Sequence, residues 1–131
     1  VREGWLSEYE THDQDGMHDF TVATITQARI KVEVKTIRNS PKPQVELQKT
    51  RAAKADPSSR YYEATHFDVV AVCMGRLTGD WSEFRYALIQ QLPRHRSHED
   101  KLAVMHAISD DEAAQPRWFS KFQEVIDALA V

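Results

Sequence analysis

Asp19, Glu33 and Lys35 are the residues whose types and spacing could do chemistry. In "IKVEVKT", residues 30–36, Glu33 and Lys35 stand two apart. On an extended chain that places them on one face, about 6.7 Å from each other. If residues 17–25 form a neighbouring strand paired antiparallel about residue 26, Asp19 comes into line with Glu33, the two strands being about 4.8 Å apart. Two carboxylates side by side repel unless a cation lies between them, and a hard, oxygen-seeking ion such as Mg²⁺ or Mn²⁺ suits that place. The backbone carbonyl of Val34 offers a further oxygen. The Lys35 ammonium then reaches a water or phosphate oxygen held by the same ion. A water of lowered pKa, an in-line phosphate and a nearby positive charge are the parts needed for phosphodiester hydrolysis. The ordinary alternative is a solvated sheet face on which Lys31 and Lys35 relieve two cross-strand acids.

The elements that must position these residues follow from periodicity. "ARIKVEVKTIR" (28–38) alternates, with Ile30, Val32 and Val34 on one parity and Arg29, Lys31, Glu33 and Lys35 on the other, the pattern of a strand with one buried face. Residues 4–11 and 17–25 read as two earlier strands, with "HDQDG" (12–16) as a turn. "NSPKP" breaks the chain at 39–43. "QVELQKTRAAK" (44–54) is rich in helix formers and follows Pro43, so a helix is expected there. On that helix Gln44, Gln48 and Arg51 lie within roughly 60° of one another and form a polar ridge for a phosphate backbone or for support of the metal site. Lys49, Lys54 and Arg60 add positive charge for nucleic-acid contact, and Tyr61 and Tyr62 are expected to pack against the sheet edge.

"FDVVAVCM" (67–74) is a continuous apolar run of strand length, expected at the centre of the sheet. "EFRYALI" (83–89) reads as a strand paired with it, and 101–108 is open between strand and short helix. Pro116 is expected to open a C-terminal helix in which Trp118, Phe122, Val125, Ile126 and Leu129 form an apolar stripe. The whole, residues 1–131, is one α/β (α+β) domain with a central mixed sheet of about five strands flanked by helices. Its 41% hydrophobic and 28% charged residues fit an ordinary globular chain. A net charge of −3 argues against holding nucleic acid by bulk charge alone. The single cysteine, Cys73, lies in an apolar run and reads as core filler, which points to a reducing, cytoplasmic setting. No apolar run is long enough to span a membrane. The chain opens on Val1, so a longer parent with an element upstream is expected.

Other chemistry is poorly supported. His12, Asp13, Asp15, His18 and Asp19 match no established zinc spacing and lack the distal glutamate of a calcium loop. His95 and His98 read as a solvated loop with some prospect of phosphate contact, and His106 as a core or rim residue. Met74, Met105 and the tryptophans read as packing. No serine has a histidine partner at a spacing that suggests acyl transfer.

As an ordered set, "HDF" (18–20), "IKVEVKT" (30–36), "QVELQKTR" (44–51) and "YYEATHFDVVAVCM" (61–74) resemble the PD-(D/E)XK nuclease superfamily, over roughly residues 17–90. The resemblance implies a restriction-endonuclease-like fold and a Mg²⁺- or Mn²⁺-dependent endonuclease acting on DNA, with RNA left open. It implies work in restriction or phage defence, or as a module of a larger nuclease, with a homodimer as one way to cut two strands. Asp19 and Glu33 would be metal ligands, Lys35 the catalytic lysine and Gln48 an accessory residue. Two departures stand out. His18 occupies the proline position. The helix expected before the first strand is missing, so either it lies upstream of Val1 or Glu8 or Glu10 supplies its acid. Asp68 reads as a strand-start hydrogen-bond acceptor. The alternative is a domain of the same fold that binds nucleic acid or protein without turnover.

Overall fold

The computed structural model describes residues 6–11, 18–24, 29–49 and 60–129. Three strands, β1 (Leu6–Thr11), β2 (Phe20–Thr24) and β3 (Arg29–Thr36), run as an antiparallel meander. The chain then crosses over and returns as β5 (Val69–Cys73), parallel to β3, before β6 (Phe84–Leu88) turns back beside it. The five-stranded sheet has the order β1-β2-β3-β5-β6. Within the crossover lies β4 (Gln44–Glu46), which pairs with β7 (Met105–Ala107) as a second, two-stranded sheet. Two α-helices, the single turn α1 (Gly75–Thr78) and α2 (Phe122–Leu129), and a 3-10 turn at Ile89–Gln91 complete the described elements. The chain is thus a small mixed α+β domain.

Parity explains how the sheet is buried. In β5, Val69 and Ala71 face one core, with Val22, Ile30, Val32, Leu88 and α2; Val70 and Val72 face the other, with Ile37, Val45, Leu47, Phe67 and Leu102. All five residues of β5 are buried, as an apolar run covered on both faces must be. Val34 packs partly buried on the α2 side. Its neighbours Lys31, Glu33 and Lys35 therefore face the crossover, which covers them. At the start of β5 the Asp68 carboxylate accepts the Lys31 amide at 2.8 Å while the Asp68 amide donates to the Lys31 carbonyl at 2.9 Å. Asp68 thereby joins the parallel pair at its entry, the hydrogen-bonding role its position suggested.

Several expectations need correction. Residues 44–49 are extended, not helical: Val45 and Leu47 are fully buried while Glu46 is exposed, and Gln48 bridges Tyr61. The period-2 burial of Val45 and Leu47 outweighs the helix propensity of their neighbours. Gln44 and Gln48 therefore do not stand on a helix, and Arg51 and Lys54 of the expected ridge and basic face lie outside the described residues. The C-terminal helix starts at Phe122, several residues after Pro116, and Trp118 packs in the opposite core from Phe122, Val125 and Ile126. Residues 105–107 resolve as strand. Trp81 and Met105 are exposed, at 60% and 38%, and are not core packing. Among the described residues no helix is long and apolar enough to cross a membrane.

Candidate functional site

The expected register holds. Phe20 pairs with Val32 and Thr21 with Lys31. One step on, the Asp19 amide donates to Glu33 Oε1 at 3.2 Å, and Asp19 Oδ2 accepts the Val34 amide at 2.8 Å. Asp19 thus closes the end of the β2–β3 ladder with its side chain. A strand residue's carbonyl points to the same edge as its own N–H, so the Val34 carbonyl faces the Asp19 side. His18 is buried beside Asp19, its Nε2 2.7 Å from Thr21 Oγ1.

Glu33 is only 5% exposed. Tyr62, from the far end of the crossover, donates its hydroxyl to Glu33 Oε2 at 2.5 Å. Burial pushes the Glu33 carboxyl above its ordinary range, and the neighbouring Asp19 adds to the rise; the Tyr62 hydrogen bond and the Lys35 charge oppose it. The Tyr62 phenol is pushed up in turn, first by burial and then by its bond to Glu33. The Lys35 ammonium lies 5.0 Å from the centre of the Tyr62 ring and donates to the Gln48 carbonyl at 3.4 Å. Lys49 approaches the same ring at 5.9 Å. Tyr62 is therefore the hub: its hydroxyl holds the acid and its ring lies under two cations.

The structure brings together Asp19, Glu33, the Val34 backbone and Lys35, with Lys49 at the border. Gln48 contributes its carbonyl, not its side chain, to Lys35. Arg60 supports the same border, its Nε donating to the Lys49 carbonyl at 3.1 Å. Gln44 lies in β4 with its amide 3.4 Å from Ser40 Oγ, apart from the acids. Lys31, a flanking charge, donates to the Thr65 carbonyl at 3.0 Å. Tyr62, read from sequence as packing, is the residue that reading missed. Only its place beside Arg60 and Tyr61 signalled it. The histidine–aspartate run contributes His18 and Asp19; His12, Asp13 and Asp15 lie outside the described residues.

Among the described residues, no three His, Cys, Asp or Glu side chains cluster in a way that could hold a metal ion. A cation here would rest on Asp19 and Glu33 and complete its shell from the Val34 carbonyl and water. Mg²⁺ is commonly held in that way, by one or two carboxylates plus waters and substrate phosphate. The donors are all hard oxygens, and each Glu33 carboxylate oxygen keeps a second lone pair beside the hydrogen bond it accepts from the Asp19 amide or Tyr62. The residues present fit such an ion. No family model matches the chain, and no curated protein or solved structure matches it.

Proposed function

We propose that this chain is a divalent-metal-dependent nuclease domain of the PD-(D/E)XK kind, with a restriction-endonuclease-like fold. The observation that carries the reading is the in-register meeting of Asp19 and Glu33, with Lys35 two residues along on the same face. The order of parts supports it as well: an acid at the start of β2, Glu-x-Lys in β3, a crossover, then an apolar strand parallel to β3.

In this account Asp19 and Glu33 hold Mg²⁺ or Mn²⁺ together with the Val34 carbonyl. The bound ion supplies Lewis-acid charge to a phosphodiester. Lys35 orients the attacking water and offsets charge on the phosphate as it develops. Tyr62 holds the Glu33 carboxylate in place and keeps the Lys35 ammonium over its ring. Lys49 and Arg60 offer cationic contact to the strand. The substrate is DNA or RNA, and the setting is restriction, phage defence or a module of a larger nuclease, in the cytoplasm and as a monomer or homodimer.

A second reading has one observation in its favour. Glu33 is already buried and hydrogen-bonded, which suits a domain that binds nucleic acid or protein without turnover. A cleavage assay on supercoiled plasmid and on single-stranded DNA separates the two. The nuclease reading expects Mg²⁺- or Mn²⁺-dependent cutting that Asp19→Asn, Glu33→Gln and Lys35→Met each reduce by at least about 10²-fold, the scale of losing one preorganised charge-stabilising group. Trace cutting that survives in all three variants would move the protein to the second reading.

A further inference from the structure

Tyr61 stands between Arg60 and Tyr62 in the chain, yet it serves a different surface. Gln48 and Tyr61 form an antiparallel bridge, and Leu102 donates its amide to the Tyr62 carbonyl at 2.8 Å. Consecutive side chains on such an extended stretch point to opposite sides. Tyr62 turns inward to Glu33, and Tyr61 turns to the loop between Leu92 and Leu102. There the Tyr61 ring stacks on His95, with centroids 4.3 Å apart and planes 27° from parallel. His98 completes a three-ring group, 5.0 Å from His95 and 5.9 Å from Tyr61. All three rings are partly exposed.

The loop is built to hold these rings. Arg94 bridges Leu102, the His95 amide donates to the Lys101 carbonyl at 2.9 Å, and the Lys101 amide donates to the His98 carbonyl at 2.9 Å. His95 Nδ1 accepts the Ser97 amide at 3.1 Å, so the neutral ring carries its proton on Nε2. Arg94 and Arg96 are exposed, and neither forms an ion pair among the described residues. Both guanidiniums are exposed and flank His95 in the chain, and their charge suits a phosphodiester strand whose bases stack on the rings. A base in a duplex has both faces covered by its neighbours, so the rings can take only unpaired bases.

We propose that Tyr61, His95 and His98, with Arg94 and Arg96, form a binding platform for single-stranded nucleic acid. It lies on the outer side of the chain segment whose inner side completes the Glu33–Lys35 site. This deepens the nuclease reading by naming the substrate class as single-stranded, and it is tested by binding with no cleavage involved.

The experiment is fluorescence anisotropy in EDTA with labelled oligothymidylate and with a duplex of equal length. Single strand is expected to bind more tightly than duplex. Tyr61→Ala and His95→Ala are each expected to weaken single-strand binding by about 5- to 100-fold, and Tyr61→Phe to restore it, since stacking needs the ring alone. Arg94→Ala and Arg96→Ala are each expected to lower the salt slope by about 0.7. Equal duplex and single-strand affinity, no binding of either probe, or Tyr61→Ala binding like wild type would each overturn the platform. Platform-dependent binding by a protein that never cuts would sink the nuclease reading alone. Cutting without platform-dependent binding would sink the platform alone.

Discussion

The Tyr62 hydroxyl donates to Glu33 Oε2 at 2.5 Å, joining the far end of the β3–β5 crossover to the middle of β3. With the Asp19 amide on Oε1, this contact sets the orientation of the buried acid, and the same ring lies beneath the Lys35 ammonium. An acid desolvated to this degree, with another carboxylate beside it, costs the fold stability when it ionises. That cost can be measured.

Replacing Glu33 by Gln should stabilise the protein at neutral pH. The Glu33 carboxyl is raised above its ordinary 4.5 by burial, so the folded state binds more protons than the unfolded state between the two pKa values. Stability from this group is therefore full below pH 4.5 and is lost as pH rises through the folded value. Gln removes the ionisation and can still accept from Asp19 and pair with Tyr62. Thermal melts should show a higher Tm for Glu33→Gln at pH 7–8, by roughly 3–5 °C per kcal/mol of relief, with the advantage shrinking towards pH 4. A lower Tm for the variant at pH 8 than at pH 4, relative to wild type, would refute this.

Tyr62→Phe should act in the opposite direction. It keeps the ring under Lys35 but leaves Glu33 Oε2 buried without its donor, at a cost of about 1–3 kcal/mol. Because the lost hydrogen bond favoured the ionised acid, the cost should be larger at pH 8 than at pH 4. Urea unfolding of wild type, both single variants and the double variant Glu33→Gln/Tyr62→Phe gives the coupling directly. Additive effects would mean that the two side chains do not act together.

His106 is buried, with Nε2 2.6 Å from the Ala103 carbonyl and Nδ1 without a partner among the described residues. Burial lowers its pKa below the ordinary 6.5. The unfolded state then binds the proton first, so stability is full above pH 6.5 and falls as pH drops towards the folded value. His66, lowered by burial and by the charges of Lys49, His18 and Lys31, adds a loss of the same sign. Because Glu33 drifts the other way, the comparison is with His106→Gln, whose amide can still donate to Ala103 and which should lose less stability than wild type, read as denaturation midpoints, as pH falls from 8 to 5. An identical slope in the variant would assign the acid sensitivity elsewhere.

The extended course of residues 44–48 has its own test. Leu47→Ala should cost about 2–5 kcal/mol, as for a fully buried leucine. Glu46→Ala, which loses an exposed ion pair with Arg38, should cost no more than about 1 kcal/mol. Comparable costs at the two positions would contradict the alternation.

The meander and its register were legible because they rest on period-2 burial, which residues such as Ile30 and Val32 state locally, and the central strand was legible as a continuous apolar run, Val69–Cys73. The meeting of Asp19 with Glu33 followed from that register. The segment at 44–48 misled because glutamine, glutamate and lysine favour helix locally, while the burial of Val45 and Leu47 is decided by β7 and the core beyond it. Trp118 misled for a similar reason: its spacing matched the helix stripe, but its indole donates to the Ala107 carbonyl at 3.1 Å across the other core. Tyr62 was illegible because its partner lies 29 residues away, across a crossover whose path no local pattern states.

The central claim is that Asp19 and Glu33 share one divalent cation. Mn²⁺ titration followed by electron paramagnetic resonance tests it most directly, since bound ion leaves the free-ion signal. One Mn²⁺ per chain is expected in the wild type and in Lys35→Met, with that binding lost in Asp19→Asn and in Glu33→Gln. Equal Mn²⁺ uptake by wild type and both acid variants, or none by any of them, would contradict the account.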